Sequence, residues 1–222
     1  MNLFDILGPV MVGPSSSHTA GAVRIGRMAR RLLDEGTPEK AEITLFGSFA
    51  ATGRGHGTDR ALVAGLLGFQ TDDERIACSF DCAREAGMAF TFKNGKDSSA
   101  HPNTARLDLV SKGGKTLSMT ACSLGGGRIR VEEVDGLKAR FSGDLPTLIV
   151  LNEDRPGHVN EVTRMLTSRG INLATMQLSR DYPGGSAVMI IEVDKTIPQD
   201  GLNWLAAQPG ITGVTFIDAP KE

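Results

Sequence analysis

Between Thr147 and Ile217 the hydrophobic period changes in one fixed order, and that order restricts the fold more than any other feature of the chain. Apolar stretches at Thr147–Leu151, Ile171–Ser179, Ala187–Val193 and Thr212–Ile217 predict strands. Helical spacing over Pro156–Ser168 and Gly201–Ala207 predicts two helices between them. The order βαββαβ is that of the ferredoxin-like motif. Val159, Val162, Met165 and Leu166 give the first of these helices a stripe expected to face the sheet, and Gly170 follows its end. The break Ser142-Gly143-Asp144-Leu145-Pro146 separates this part from what precedes it, which sets domains at 1–143 and 147–222.

The preceding part leads with helices and continues with strands, an α+β pattern. Helices are expected over Thr19–Asp34, ended near Gly36, and over Thr58–Leu67 and Asp72–Glu85. Strands are expected over Glu42–Phe49, Met88–Phe92, Ala105–Ser111, Thr116–Ser123, Arg128–Val134 and Leu137–Phe141. Asn94-Gly95, the loop Lys112–Lys115 and Asp135-Gly136 are turn signals, and the later strands are expected to form an antiparallel sheet.

A formal net charge of -2 gives no footprint for nucleic acid or an anionic membrane. Arg24, Arg27, Arg30 and Arg31 are expected on the solvent side of the first helix. No stretch is long and apolar enough to span a bilayer, and MNLFDILGPV lacks the basic start of a signal peptide, so a cytoplasmic chain is expected. Cys78, Cys82 and Cys122 include no C-x-x-C. The first two, four residues apart, are expected to be buried and apolar rather than a ligand pair, and no metal site is expected.

Chemistry concentrates in GPSSSHT, Gly13–Thr19, against the start of the first helix. Free backbone N–H groups and the helix dipole attract an anion there, and Ser15, Ser16, Ser17 and Thr19 add hydroxyl donors. A single N-cap would use only one of them. His18, His56 in GRGHGTD and His101 in AHPNT all lie among small polar residues, and imidazole suits proton transfer near neutrality. Pro102 restricts His101 beside Asn103, and Ser123-Leu124-Gly125-Gly126-Gly127 is a flexible turn suited to lining a cavity. Neither dinucleotide nor P-loop spacing is met, and a Ser–His hydrolase lacks its elbow and its orienting third group.

GPSSSHTAGAVRIG, GSFAATGRGHGTDRAL, AHPNT and SLGGGRI together resemble the beta subunit of bacterial iron–sulfur L-serine dehydratase. NEDRPGHVNEVTRMLTSRGINLATMQLSR resembles an ACT domain. The resemblance implies deamination of L-serine to pyruvate and ammonia without pyridoxal phosphate. It also implies a 4Fe–4S cluster held by a separate alpha subunit, with an open iron acting on the serine hydroxyl. It implies that Ser15, Ser16, Ser17 and Thr19 hold the substrate carboxylate, with Asn103 on the carboxylate or amino group. His56 is the expected general base with His101 as the alternative, and His18 shapes the pocket. In the ACT part, Asn152, Asp154, Gly157 and Asn172 are the expected contacts to an amino-acid effector; the alternative is a dimerisation surface alone. The N-terminal part also resembles the allosteric substrate-binding domain of some phosphoglycerate dehydrogenases, so a non-catalytic amino-acid-sensing module is the competing reading.

Overall fold

The computed structural model describes residues 10–219. The reading of residues 1–9 as lacking a signal peptide lies outside them. The chain divides into two compact units, Met1–Asp135 and Gly136–Glu222.

In the first unit a π-turn, Ser16–Ala20, runs directly into α1, Gly21–Leu33. Val23, Ile25, Met28, Ala29, Leu32 and Leu33 are all buried, as their spacing predicts. Asp34 ends the helix in the left-handed region, φ 59°, ahead of Gly36; a short Asp side chain tolerates that conformation. The arginine face is not simply solvated. Half-buried Arg24 donates to the Gly127 carbonyl (3.1 Å), Arg30 to the Leu66 carbonyl (3.2 Å), and Arg27 to Gln70.

Strand β1, Lys40–Leu45, stops short of the expected Phe49. Gly47, at φ 53°, turns the chain into α2, Gly47–Thr52, and a Cβ there would lie 2.6 Å from the Pro102 carbonyl. Helix α3, Thr58–Leu67, follows the glycine turn as predicted. The single helix expected over 72–85 is instead a 3₁₀ turn, Glu74–Cys78, and α4, Ser79–Glu85. The remaining strands of this unit are β2 (Ala89–Asn94), β3 (Thr104–Val110), β4 (Thr116–Gly125) and β5 (Arg128–Val134); β6 (Leu137–Phe141) falls past Asp135, in the second unit.

Within this unit the sheet runs in the order β2-β1-β3-β4-β5. It is not purely antiparallel: β1 pairs parallel with β2 and antiparallel with β3. Parallel neighbours need a long crossover, and α2, α3 and α4 supply one. The Asp135-Gly136 turn has φ of 50° and 80°, the two positive values of a type I′ hairpin.

The second unit has β7 (Thr147–Glu153), α5 (His158–Ser168), β8 (Leu173–Arg180), β9 (Ser186–Val193), α6 (Gln199–Ala206) and β10 (Ile211–Ile217). The order β10-β7-β9-β8 completes the ferredoxin-like layout. Leu148, Val150, Val162, Met165, Leu166, Met189 and Ile191 share one core. Val159 does not face the sheet: it is 40% exposed, and His158 is buried in its stead. The buried set 158, 162, 165, 166 still follows helical spacing, with only its first member changed. Among the described residues no helix is long and apolar enough to cross a membrane.

Candidate functional site

The serine run does more than cap a helix. Ser15 is the N-cap: its Oγ accepts the His18 N–H (3.1 Å) and lies 3.4 Å from His18 Nδ1. Ser16 Oγ accepts the Gly126 N–H (3.3 Å), which ties the serines to the SLGGG turn and leaves the hydroxyl proton free to donate. Ser17 sits against Gly125 in the same turn. Thr19 is buried, and its hydroxyl reaches the His56 carbonyl at 3.5 Å. The first motif therefore meets the second and the fourth, and Ser123 adds a buried Oγ with no hydrogen-bond partner.

Helix α2 holds His18 from the other side. His18 Nε2 lies 3.1 Å from Ser48 Oγ and 3.4 Å from Thr52 Oγ1, hydroxyls one helical turn apart. The ring packs edge-on against Phe49, centroids 5.3 Å apart, and against His56 at 4.9 Å. Ser48, Phe49 and Thr52 were not among the expected site residues. Once Gly47 is read as a helix start, their i, i+1, i+4 spacing is the signal that finds them.

Burial, and then the neighbouring His56, push the His18 imidazole below its ordinary value of 6.5; a hydrogen bond to Ser48 works the other way. The unfolded chain thus binds this proton more readily than the folded one, so protonation favours unfolding. The stabilisation is complete above pH 6.5 and is lost as pH falls from there through the lower folded value. We expect the urea midpoint to drop between about pH 7.5 and about pH 5.5, and the drop to be smaller in His18→Asn. Equal drops in both proteins would contradict the assignment.

His56 is exposed, in the turn between α2 and α3, and its N–H donates to the Thr52 carbonyl (3.2 Å). His101 sits in the loop just before β3. Its Nδ1 accepts the Asn103 N–H (3.2 Å), which folds the ring back on its own loop. That loop is nonetheless fastened to the same helix, since the Phe49 N–H donates to the Pro102 carbonyl (3.3 Å). The Ser123 N–H donates to the Asn103 carbonyl (2.9 Å), joining the loop to β4. A cleft of about 370 Å³ borders α2, lined by Phe49, Ala50, Arg54, Asp59, Phe92 and Asn94 among others. None of the imidazoles lines it, and Phe49 is its link to them.

In the second unit Asn152, Asp154 and Gly157 gather at the turn from β7 to α5. Asn152 is buried; its Nδ2 donates to the Glu153 carbonyl (2.6 Å) and its Oδ1 has no partner. The Gly184 N–H and the Arg180 guanidinium both bind Asp154 and hold its carboxyl below the usual range. Asn172 lies elsewhere. Asn152 pairs with Ala187 at one end of β9, whereas Leu173, next to Asn172, pairs with Val193 at the other. Buried His158 was missed: Nδ1 meets Glu161 Oε2 at 3.0 Å, and Nε2 has no partner.

Cysteine placement differs from expectation. Cys122 is buried in β4, but Cys78 is exposed and Cys82 half-buried. Among the described residues no group of three or more His, Cys, Asp or Glu could hold a metal ion, so this donor set does not fit an iron–sulfur cluster.

Sequence comparison bears directly on this arrangement. Residues 2–86 match the family described as "Serine dehydratase beta chain", and residues 146–207 match the ACT domain. The chain is 43% identical to the probable L-serine dehydratase beta chain of Bacillus subtilis, covering 97% of both chains. It is 34% identical to the L-serine dehydratase beta chain of Peptoniphilus asaccharolyticus, covering 88% of both. Similarity to the D-3-phosphoglycerate dehydrogenase of Methanocaldococcus jannaschii reaches 36% identity but covers 39% of this chain and 16% of that one. Matched along nearly its whole length by beta chains rather than over one segment, the chain belongs to the serine dehydratase beta chain family, with an ACT domain in its C-terminal part.

Proposed function

We propose that this chain is the beta subunit of a two-chain L-serine dehydratase, which deaminates L-serine to pyruvate and ammonia. One observation supports this most: His18 and His56, far apart in sequence, stand 4.9 Å apart with Ser15, Ser48 and Thr52 hydroxyls around His18. Similarity to beta chains of L-serine dehydratases supports L-serine as the substrate.

In this reading the serine hydroxyls and the backbone at the helix start hold the substrate carboxylate in place. Ser16 is best suited, because its proton is uncommitted. Asn103 assists on the carboxylate or amino group. His56 takes the α-proton, being exposed and so within reach of a docked amino acid, with His101 as the alternative base. His18, kept neutral by burial, orients the pocket and avoids a second positive charge beside the base. Loss of the α-proton and hydroxide leaves aminoacrylate, which tautomerises to the imine and takes up water to release ammonia and pyruvate. We assign the 4Fe–4S cluster to an alpha subunit, since the donors here do not fit one.

We read the ACT domain as an amino-acid effector site and a dimerisation surface. Asn152, Asp154 and Gly157 belong to one end of the sheet and Asn172 to the other, so all four meet a single effector only if a second copy brings its own Asn172 alongside.

Anaerobic co-expression with a cysteine-bearing alpha chain, followed by a pyruvate assay with each subunit omitted, tests the assignment. Activity is expected only from the pair. Pyruvate from this chain alone would overturn the shared site.

A further inference from the structure

Away from the imidazole cluster, the chain presents two thiols on one surface. Cys78 closes the 3₁₀ turn and Cys82 lies four residues on in α4, with Sγ atoms 3.9 Å apart. Cys78 is exposed and Cys82 half-buried, so solvent reaches the pair. The Cys78 thiol also donates to the Arg75 carbonyl (3.4 Å), which fixes its direction.

Two thiols at this separation can be joined by a direct bond or by a bridging atom, and geometry separates the two. A disulfide needs Cβ atoms about 3.5–4.5 Å apart. It also needs its sulfurs about 2.05 Å apart, and these stand at 3.9 Å. The two sulfurs would have to close by roughly 2 Å to form such a bond. A bridging metal needs no such movement. Bonds of about 2.3 Å to each sulfur span about 3.8 Å at a tetrahedral angle and about 4.6 Å in line. The observed 3.9 Å falls inside that range.

The type of ion follows from what is missing. Closed zinc sites use four protein ligands, and among the described residues no third His, Cys, Asp or Glu completes a group here. A soft cation content with two thiolates fits better, and thiolate ligands select Cu(I). We propose that Cys78 and Cys82 form a two-thiolate site for a soft monovalent cation of the Cu(I) class. Binding is not redox chemistry: two S–H bonds break, two metal–sulfur bonds form, and two protons leave to solvent. The bis-thiolate so formed carries one net negative charge. Burial and then the neighbouring Cys78 push the Cys82 thiol up, as does Glu85, while Arg75, paired with Asp73 at 2.6 Å, works the other way.

The full chain, reduced and anaerobic, is titrated with Cu(I) against bicinchoninate as a coloured competitor. The wild type should withdraw one Cu(I) per chain. It should do so about a hundredfold more tightly than Cys78→Ser or Cys82→Ser, the gain that a tethered second ligand brings. Cys122→Ser should match wild type. In unmutated protein, Cu(I) should protect Cys78 and Cys82 together from alkylation, a readout independent of any variant's folding. Equal binding by the single variants, loss on Cys122→Ser, or ready closure of the pair to a disulfide by oxidised glutathione would each overturn the site.

Discussion

In the assembled two-chain enzyme, His56→Ala lowers kcat for pyruvate formation by about 10²–10⁴-fold, the usual contribution of a positioned general base. The substitution is well suited to isolating that role. His56 is exposed, so its removal leaves no cavity in the core. Its structural duties are carried by the backbone: the N–H donates to the Thr52 carbonyl and the carbonyl accepts from Thr19 Oγ1, and alanine keeps both. KM should therefore change much less than kcat, because carboxylate binding is assigned to Ser15, Ser16, Ser17 and Thr19 rather than to the His56 side chain. His101→Ala should keep most of the turnover that His56→Ala loses. Full turnover in His56→Ala, measured by pyruvate release, would remove the base assignment and direct attention to His101.

Much of this arrangement was legible before any coordinates, and the limits follow from the range of the forces involved. Turns and hairpins are local: Asp135-Gly136 needs two positive φ values, and only a few residue pairs supply them. The βαββαβ order was equally readable, since each element shows its own period. Pairing of β1 with β2 was not, because it joins Lys40 to Ala89 across a long crossover that no short-range pattern records. The same blindness hid the site's second half. With 42–49 read as strand, Ser48 was only a strand end; as part of α2 it shares a face with Thr52 and meets His18. Periodicity also misassigned Val159 and His158, since a polar residue buried on an apolar stripe looks like its edge. Cys78 and Cys82 were misread for a related reason: spacing gives their separation, but not whether their side faces the core.

Gly65→Val should lower the melting temperature of the first unit by roughly 10 °C or more, from about 3 kcal/mol of overpacking. The reason lies in how α1 and α3 touch. A Cβ on Gly65 would stand 2.2 Å from the Val23 carbonyl, and one on Gly26 would stand 2.3 Å from the Leu62 carbonyl. These obstacles are backbone atoms of the partner helix, so no rotamer change relieves the clash; the helices themselves must separate. Separation reaches the site directly. The His18 turn runs straight into α1 and the His56 turn straight into α3, so the imidazole spacing depends on how closely these helices pack. A variant that still folds should therefore lose turnover as well as heat resistance. Gly55→Ala is the matched control: its Cβ would meet only the Thr52 carbonyl at 3.5 Å, an ordinary contact, and its melt should stay close to wild type. Circular dichroism melts of the three proteins check the difference. A Gly65→Val chain that melts with wild type would mean that α1 and α3 do not meet backbone to backbone, and the positioning of His18 against His56 would need another source.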